Sequence, residues 1–518
     1  MLRSRFARVV LPACLVALGV LVAVLSLRTL VFSSRRSSGE SSWPTPTQRS
    51  FQHVPVVLVV FDELPLVTLL NERGRIDRKL FPNFSRLADD SVWFRNTTAV
   101  AVLSQTAVPA LMTGKYLNPR GPHPRVYPRN LLTMVGKAFD VRTVQPDPRF
   151  CSSRICPQSE IELTATDPRF GDFGRSARGR NFRSFLEILQ PRRRDAFYYL
   201  HLVAPHAPWS FLPSGRRYQP DRRPAADMEV SGPGRAWKKN TWLVTQAQQQ
   251  HFLQVQLVDR LVGALIDRLR SEDMYERALV VVTADHGMAF EPGFPKRDPR
   301  RETIGEIVTV PLFIKRPFEE EGKVSDRPID LVDIVPTIAD ILNLSHVWEG
   351  LDGTSAFGRM TFDDAERSVS GIPLSPDGDA IDPAIERKYE WFGQDGSSID
   401  LFELGPGTTE KLLGRAVKPL TAHGDSAATI QLQRRPGGLR PQVTATVTDV
   451  SKRPPVVAIA VDGKIVAVTK AHETDGATRF SAMIPPRARS EPWADVQLFV
   501  VTREAGYGWG LLPVTIPT

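Results

Sequence analysis

Three short segments of this 518-residue chain put hard ligands or a hydroxyl where a buried strand ends or a helix begins. Residues 56–63 read VVLVVFDE, so Asp62 and Glu63 follow six apolar residues. Residues 278–287 read ALVVVTADHG, and deliver an oxygen and a nitrogen ligand side by side as Asp285 and His286. Gly287 lets the backbone turn behind them. Carboxylates in such places suit a hard divalent cation, and mixed oxygen and nitrogen ligation favours zinc or manganese over calcium. Residues 104–114, SQTAVPALMTG, carry Ser104 ahead of one helical segment that Gly114 stops. At a helix start, free N–H groups and the dipole favour an anionic substrate group and the alkoxide itself. A bound metal would activate the Ser104 hydroxyl further. Thr106 is the rival hydroxyl and a candidate substrate contact. Each segment also has a plainer explanation: an acidic turn, or an N-cap serine worth ~1 kcal/mol.

A fourth segment, residues 197–209 (FYYLHLVAPHAPW), holds two histidines five apart after another apolar run. His206, between prolines, could donate a hydrogen bond to a leaving oxygen. His201 is either a substrate contact or a satisfied core histidine. Trp209 and Arg216 are candidates to hold a substrate headgroup, or they simply pack the loop together with Tyr218. His251, inside a long helical pattern, reads as structural.

The elements that must position these residues alternate in type. Strands are expected at 55–61, 196–203 and 278–284, and helices at 81–88 and about 242–270. In the first helix Phe84 and Leu87 face inward. In the second, Phe252, Val255, Leu261, Val262, Leu265 and Leu269 recur near helical spacing. Such alternation predicts an α/β fold with a mostly parallel sheet covered by helices on both faces. Open sheets of that kind bind ligands outside the carboxyl ends of their strands. This domain spans 51–365. Residues 366–424 are rich in Gly, Pro and Asp and read as an irregular connection. Residues 425–518 carry short alternating runs, with Asp462-Gly463 as a hairpin signal, and predict a small β-rich domain.

Residues 9–27 are apolar without a charge, long enough to approach the ~30 Å hydrocarbon core. Arginines flank the run, and it is longer than a signal-peptide core, which has ~7–15 apolar residues. We therefore expect a single uncleaved transmembrane anchor over 9–31. A flexible Ser- and Pro-rich linker follows over 32–50. Cys151 and Cys156, separated by SSRI, can close a small disulfide in an oxidising compartment. The expected location is the cell membrane, with the catalytic domain on the extracytoplasmic side. Lys and Arg exceed Asp and Glu by nine, which fits an anionic lipid or wall polymer. No zinc-finger spacing, RNA-binding aromatic motif or basic heptad points to nucleic acid. Nothing in the sequence sets the oligomeric state.

Taken in order, these motifs resemble the sulfatase and alkaline phosphatase superfamily over about residues 54–357. Supporting segments are Phe81-Pro-Asn-Phe-Ser-Arg-Leu-Ala88, Leu111-Met-Thr-Gly114, Val310-Pro-Leu-Phe313 and Asp333-Ile-Val-Pro-Thr337. The resemblance implies an alkaline phosphatase-like fold and one divalent metal ion, with Mn, Zn, Mg and Ca all open. Asp62, Glu63, Ser104, Asp285 and His286 would hold it. Sulfatases carry C-x-P-S-R or S-x-P-S-R, whose first residue becomes formylglycine. Here Ser104-Gln105-Thr106-Ala107-Val108 lacks both the Pro and the Arg, and Asp285-His286 stands for the family's Asp-Asn. A hydroxyl nucleophile with Asp-His is more like lipoteichoic acid synthase and the lipid A phosphoethanolamine transferases, which have several membrane helices where this chain shows one. The implied activity is transfer or hydrolysis of a phosphoester on a cell-envelope lipid or glycan. A sulfatase and an inactive, sulfatase-like binding protein are the alternatives.

Overall fold

A computed structural model describes residues 54–514 apart from 119–124, 145–148, 153, 157–166, 219–235, 345–349, 359–366, 376–377, 394–399, 404–411, 421–428, 433–441, 449–454, 475, 486–495 and 505–507. The expected anchor (9–31) and linker (32–50) lie outside the described residues. Among the described residues no helix is long and apolar enough to cross a membrane.

Seven strands form the main sheet: β1 (Val56–Asp62), β2 (Val92–Phe94), β3 (Asp140–Thr143), β4 (Ala196–Pro205), β5 (Leu279–Ala284), β6 (Leu312–Lys315) and β7 (Lys323–Ser325). Their spatial order is β3-β4-β1-β5-β6-β2-β7. Within this sheet only β6 runs against the others. β1 and β5 are buried along their whole length, which is why both read as unbroken apolar runs rather than alternating ones. The registers align the strand ends. Phe61 pairs with Ala284, and after a shift Asp62 pairs with Pro205. Asp62, His206 and Asp285 therefore emerge together at one edge.

The helices that matter to this edge are α1 (Pro82–Asp89), α2 (Ser104–Thr113), α3 (Leu131–Val135), α4 (Ala177–Ile188), α5 (Thr241–Ser271), α6 (Ile334–Ile341) and α7 (Asp382–Phe392). Gly114 ends α2 at φ 65°, a left-handed turn that glycine adopts without a Cβ clash. α5 is less amphipathic than its spacing predicts. Gln246, Gln248, Gln249, Gln250 and Gln254 are buried on it, and several donate to distant carbonyls, such as Gln246 to Ser481 and Gln249 to Leu401. Its Asp259 caps α1 by accepting from the Asn83 and Phe84 amides at 2.9 and 2.8 Å.

The region expected to be irregular holds the regular helix α7, which buries Ala384, Lys388 and Phe392. The start DP, with Pro at its first turn, was the available signal.

The β-rich part forms two four-stranded antiparallel sheets. Its strands are β8 (Thr429–Leu432), β9 (Gln442–Thr448), β10 (Val456–Val461), β11 (Lys464–Lys470), β12 (His472–Thr474), β13 (Ala477–Met483), β14 (Val496–Glu504) and β15 (Gly508–Pro513). They order as β8-β9-β13-β12 and β11-β10-β14-β15. Val447, Val457, Ile459, Phe480 and Leu498 share one core there. Asp462 and Gly463 both have positive φ, 51° and 72°, the conformation a two-residue hairpin between β10 and β11 requires. Residues Gln52–Thr518 group as one unit, so the change from α/β to all-β lies inside it.

Candidate active site

Ser104 opens α2 as its first residue, and its hydroxyl takes no part in capping. Instead Oγ lies 3.1 Å from His286 Nε2 and 3.4 Å from Asp62 Oδ1. Asp62, Asp285 and His286 bring one ligand atom each within 4.8 Å of one another, and all three are buried. Ser104 is half-buried at their rim.

Hydrogen bonds set the orientation of each group. Asp285 Oδ1 accepts from the His286 amide at 2.7 Å and the Glu63 amide at 3.2 Å. Its Oδ2 is buried without a hydrogen-bond partner, with His201 Nε2 and His286 Nε2 at 3.6 and 3.8 Å. His286 Nδ1 lies 2.8 Å from the Gly287 carbonyl. That contact assigns the proton to Nδ1 and leaves the Nε2 lone pair facing Ser104. Gly287 serves by closeness of packing: a Cβ there would lie 2.3 Å from the Glu306 carbonyl oxygen.

The electrostatics are those of two buried carboxylates set side by side. Burial, and then the neighbouring Asp285 charge, raise the pKa of Asp62, with the three histidines acting in opposition. Burial works against the Asp285 charge too, but His286, His201 and Ser104 outweigh it and its pKa falls. A buried carboxylate oxygen with no donor, beside a second carboxylate and an imidazole lone pair, fits a divalent metal ion. Asp62, Asp285 and His286 are the residues that would hold it.

Glu63 departs from the expected ligand set. Its backbone is left-handed, at φ 66°, and turns the side chain away from Asp62. There it forms a two-point ion pair with Arg297, at 2.8 and 2.6 Å. Burial opposes its charge, yet Arg297, Lys296 and His206 together hold its pKa down at about 2. Glu63 thus anchors a basic loop beside the site.

His206 follows β4 and its Nε2 stands 3.8 Å from Glu63 Oε2. Its loop is gripped from both sides. Arg178 of α4 donates to the carbonyls of His206 and Ala207 at 2.6 and 2.8 Å, and Gln254 of α5 donates to that of Pro205 at 3.0 Å. Trp209, expected at a headgroup, is fully buried and packs with Trp237, His251 and Phe290. An indole in such an apolar cluster gains more from burial than from a polar ligand. Thr106 is buried within α2, so Ser104 is the hydroxyl that meets the ligand group. Arg216 is exposed on a turn closed by the Leu212 amide and the Arg216 carbonyl, and no contact among the described residues joins it to Ser104. Cys151 and Cys156 are bonded, with Cα atoms 5.8 Å apart.

Arg297, Lys296, Arg178 and Gln254 were missed from sequence. The basic pair Lys296-Arg297 in a Gly- and Pro-containing loop after Asp285-His286-Gly287 was a usable signal; Arg178 and Gln254 offered none.

A sulfatase family model matches residues 56–344. The chain belongs to the sulfatase family. The match contains every residue of the Ser104 group, and extends through α6. Among curated proteins, this sulfatase-family chain is 26% identical over 113 residues to a sulfatase of Formosa agariphila, covering 22% of each chain. It is 25% identical over 101 residues to an endo-4-O-sulfatase of Bacteroides thetaiotaomicron, covering 19% of each. The aligned stretches therefore span about a fifth of these relatives. A solved phosphonate monoester hydrolase of Agrobacterium radiobacter is similar at 18% identity, covering 59% of this chain and 76% of that one, with a TM-score of 0.44.

Proposed function

We propose that this protein is a membrane-anchored, metal-dependent enzyme that cleaves or transfers phosphoesters of cell-envelope glycans or lipids through Ser104. The observation that carries this is the Ser104 hydroxyl itself: unspent on its helix, it faces Asp62 and His286 at hydrogen-bond range. A divalent metal ion held by Asp62, Asp285 and His286 would neutralise the phosphoryl oxygens and lower the hydroxyl pKa. The Ser104 O–H faces two acceptors, His286 Nε2 at 3.1 Å and Asp62 Oδ1 at 3.4 Å. As Oγ attacks phosphorus its proton passes to one of them, the bond to the leaving oxygen breaks, and a phosphoseryl enzyme forms. His206, its loop fixed by Arg178 and Gln254 and its Nδ1–H held on the Ala207 carbonyl at 2.7 Å, passes a proton taken up at Nε2 to the leaving oxygen. Water or a glycan hydroxyl then releases the phosphoryl group.

The family and the names of its curated relatives favour a second candidate, hydrolysis of sulfate esters. The missing Pro and Arg after Ser104 weigh against formylglycine, which sulfatases of the standard motif use. The two are separated by metal content, by mass spectrometry of the Ser104 peptide, and by turnover of chromogenic phosphodiester, phosphomonoester and sulfate substrates. Metal-dependent phosphoester turnover that falls about 10⁴-fold in Ser104→Ala, with an unmodified Ser104 peptide, is the expected result. Formylglycine with preferential sulfate turnover would replace phosphoryl chemistry by sulfatase action. A protein that binds no metal and turns over none of the three would be an inactive scaffold.

A further inference from the structure

The end of the sheet opposite Asp62 carries a feature that the catalytic proposal does not use. An open cavity of 830 Å³ lies there, lined by the segments that lead into β3 and β4 and by part of the Cys151–Cys156 loop. Five cations line it, Lys137, Arg154, Arg192, Arg193 and Arg194, and all five are exposed. The acid on its wall, Asp140, is already held by Arg142 at 2.8 Å. We infer that this basic cavity seats the anionic headgroups of a lipid bilayer and stands the sheet on the membrane, with Ser104 at the far end.

The cavity is built into the fold. Gly136 lets the disulfide loop approach closely, since a Cβ there would lie 2.8 Å from Ile155 Cγ2. The Ile155 and Cys156 amides donate to the Ser152 carbonyl, and the disulfide closes the same loop. Arg154 is thereby carried to the same cavity as Lys137. The three consecutive arginines come from the turn that enters β4. Clustered cations of this kind gain attraction near an anionic leaflet, and the gain fades within a Debye length.

Chain direction favours lipid over an anionic glycan. β1, β3, β4 and β5 are parallel, so the polypeptide enters β1 at the cavity end, where the Leu279 amide meets the Pro55 carbonyl. The expected linker, residues 32–50, separates that end from the expected anchor; a flexible chain of that length would have an r.m.s. span of ~24 Å. The inference rests on the anchor proposed above. A glycan substrate would be held near Ser104, about 20 Å away along β1. With the cavity seated, the site faces away from the bilayer, which favours a polymer-borne ester as substrate over a headgroup of the same leaflet.

The test uses the full chain with nanodiscs of phosphatidylcholine, with and without phosphatidylglycerol. Hydrogen exchange is followed at residues 136–141 and 192–196. The expected result is slower exchange in the phosphatidylglycerol discs alone, weakened by salt and by roughly fivefold for each unit of positive charge lost, with two units lost at each site of the pair Arg193→Glu and Arg194→Glu. Arg154→Gln, with an unchanged melting temperature, gives the same answer without charge reversal. Co-migration with the discs is read separately. A chain that stays outside both discs removes the anchor, and this inference with it. A chain that enters the discs without phosphatidylglycerol-dependent protection overturns the inference alone. Equal protection by inorganic phosphate or by soluble heparin in phosphatidylcholine discs would instead make this a general anion or glycan site, and overturns it as well.

Discussion

At the scale of single residues, the site separates two acids that adjoin in sequence. Asp62 joins Asp285 and His286, while Glu63, left-handed at φ 66°, is delivered to Arg297. A non-glycine residue held there carries roughly 1–2 kcal/mol of strain, offset by the buried ion pair and by the Glu63 amide on Asp285. Arg297→Met would leave a buried carboxylate without its main partner. We expect a loss of about 3–5 kcal/mol in urea unfolding, with part regained in the double variant Glu63→Gln, Arg297→Met. No loss would mean that Glu63 is solvated or protonated rather than paired.

At the scale of elements, two contacts fix the loops behind the site. Gly287 is pressed against the Glu306 carbonyl and Pro65. Gly287→Ala must therefore move the segment that carries Asp285 and His286, and metal affinity measured by calorimetry should fall with the melting temperature. The other contact is Lys388 of α7. It is fully buried, and its ammonium donates to the carbonyls of Val67 and Thr68 at 3.0 Å and also to that of Leu70, bracing the chain just after Glu63. Burial pushes its pKa down to about 7. Between about pH 7 and the unfolded value near 10.4, the unfolded chain keeps a proton that the fold sheds, so stability rises with pH across that window and the burial penalty is full below it. From pH 7 to 9 the gain is at most about 2.7 kcal/mol, since the three carbonyls recover part of the desolvation. Urea midpoints of wild type and Lys388→Met at the two pH values check this: the rise should vanish in the variant.

For the whole molecule, metal binding and folding are linked, because the ligands come from β1 and β5 and meet only in the native state. A metal at one hundred times its Kd should stabilise the protein by ~2.7 kcal/mol. The melting temperature should rise on adding manganese or zinc, fall back with chelator, and stay unmoved by metal in Asp285→Asn. A shift that persists in Asp285→Asn would place the ion elsewhere.

Local patterning determined much of this protein. The buried strands, the long helix, the Gly114 stop, the Asp462-Gly463 turn and the positions of Asp62, Ser104, Asp285 and His286 are all legible in sequence. Apolar periodicity, caps and turn residues act over a few positions, and strand ends follow from them. Tertiary structure alone decided where Glu63 points, why Trp209 is unavailable to a ligand, and which side chains hold His206. The Glu63 partner lies 234 residues away, and the buried glutamines of α5 find their acceptors on other segments. A polar residue on a helix looks solvent-facing until the fold brings it a carbonyl, because its burial depends on a partner that no local pattern encodes.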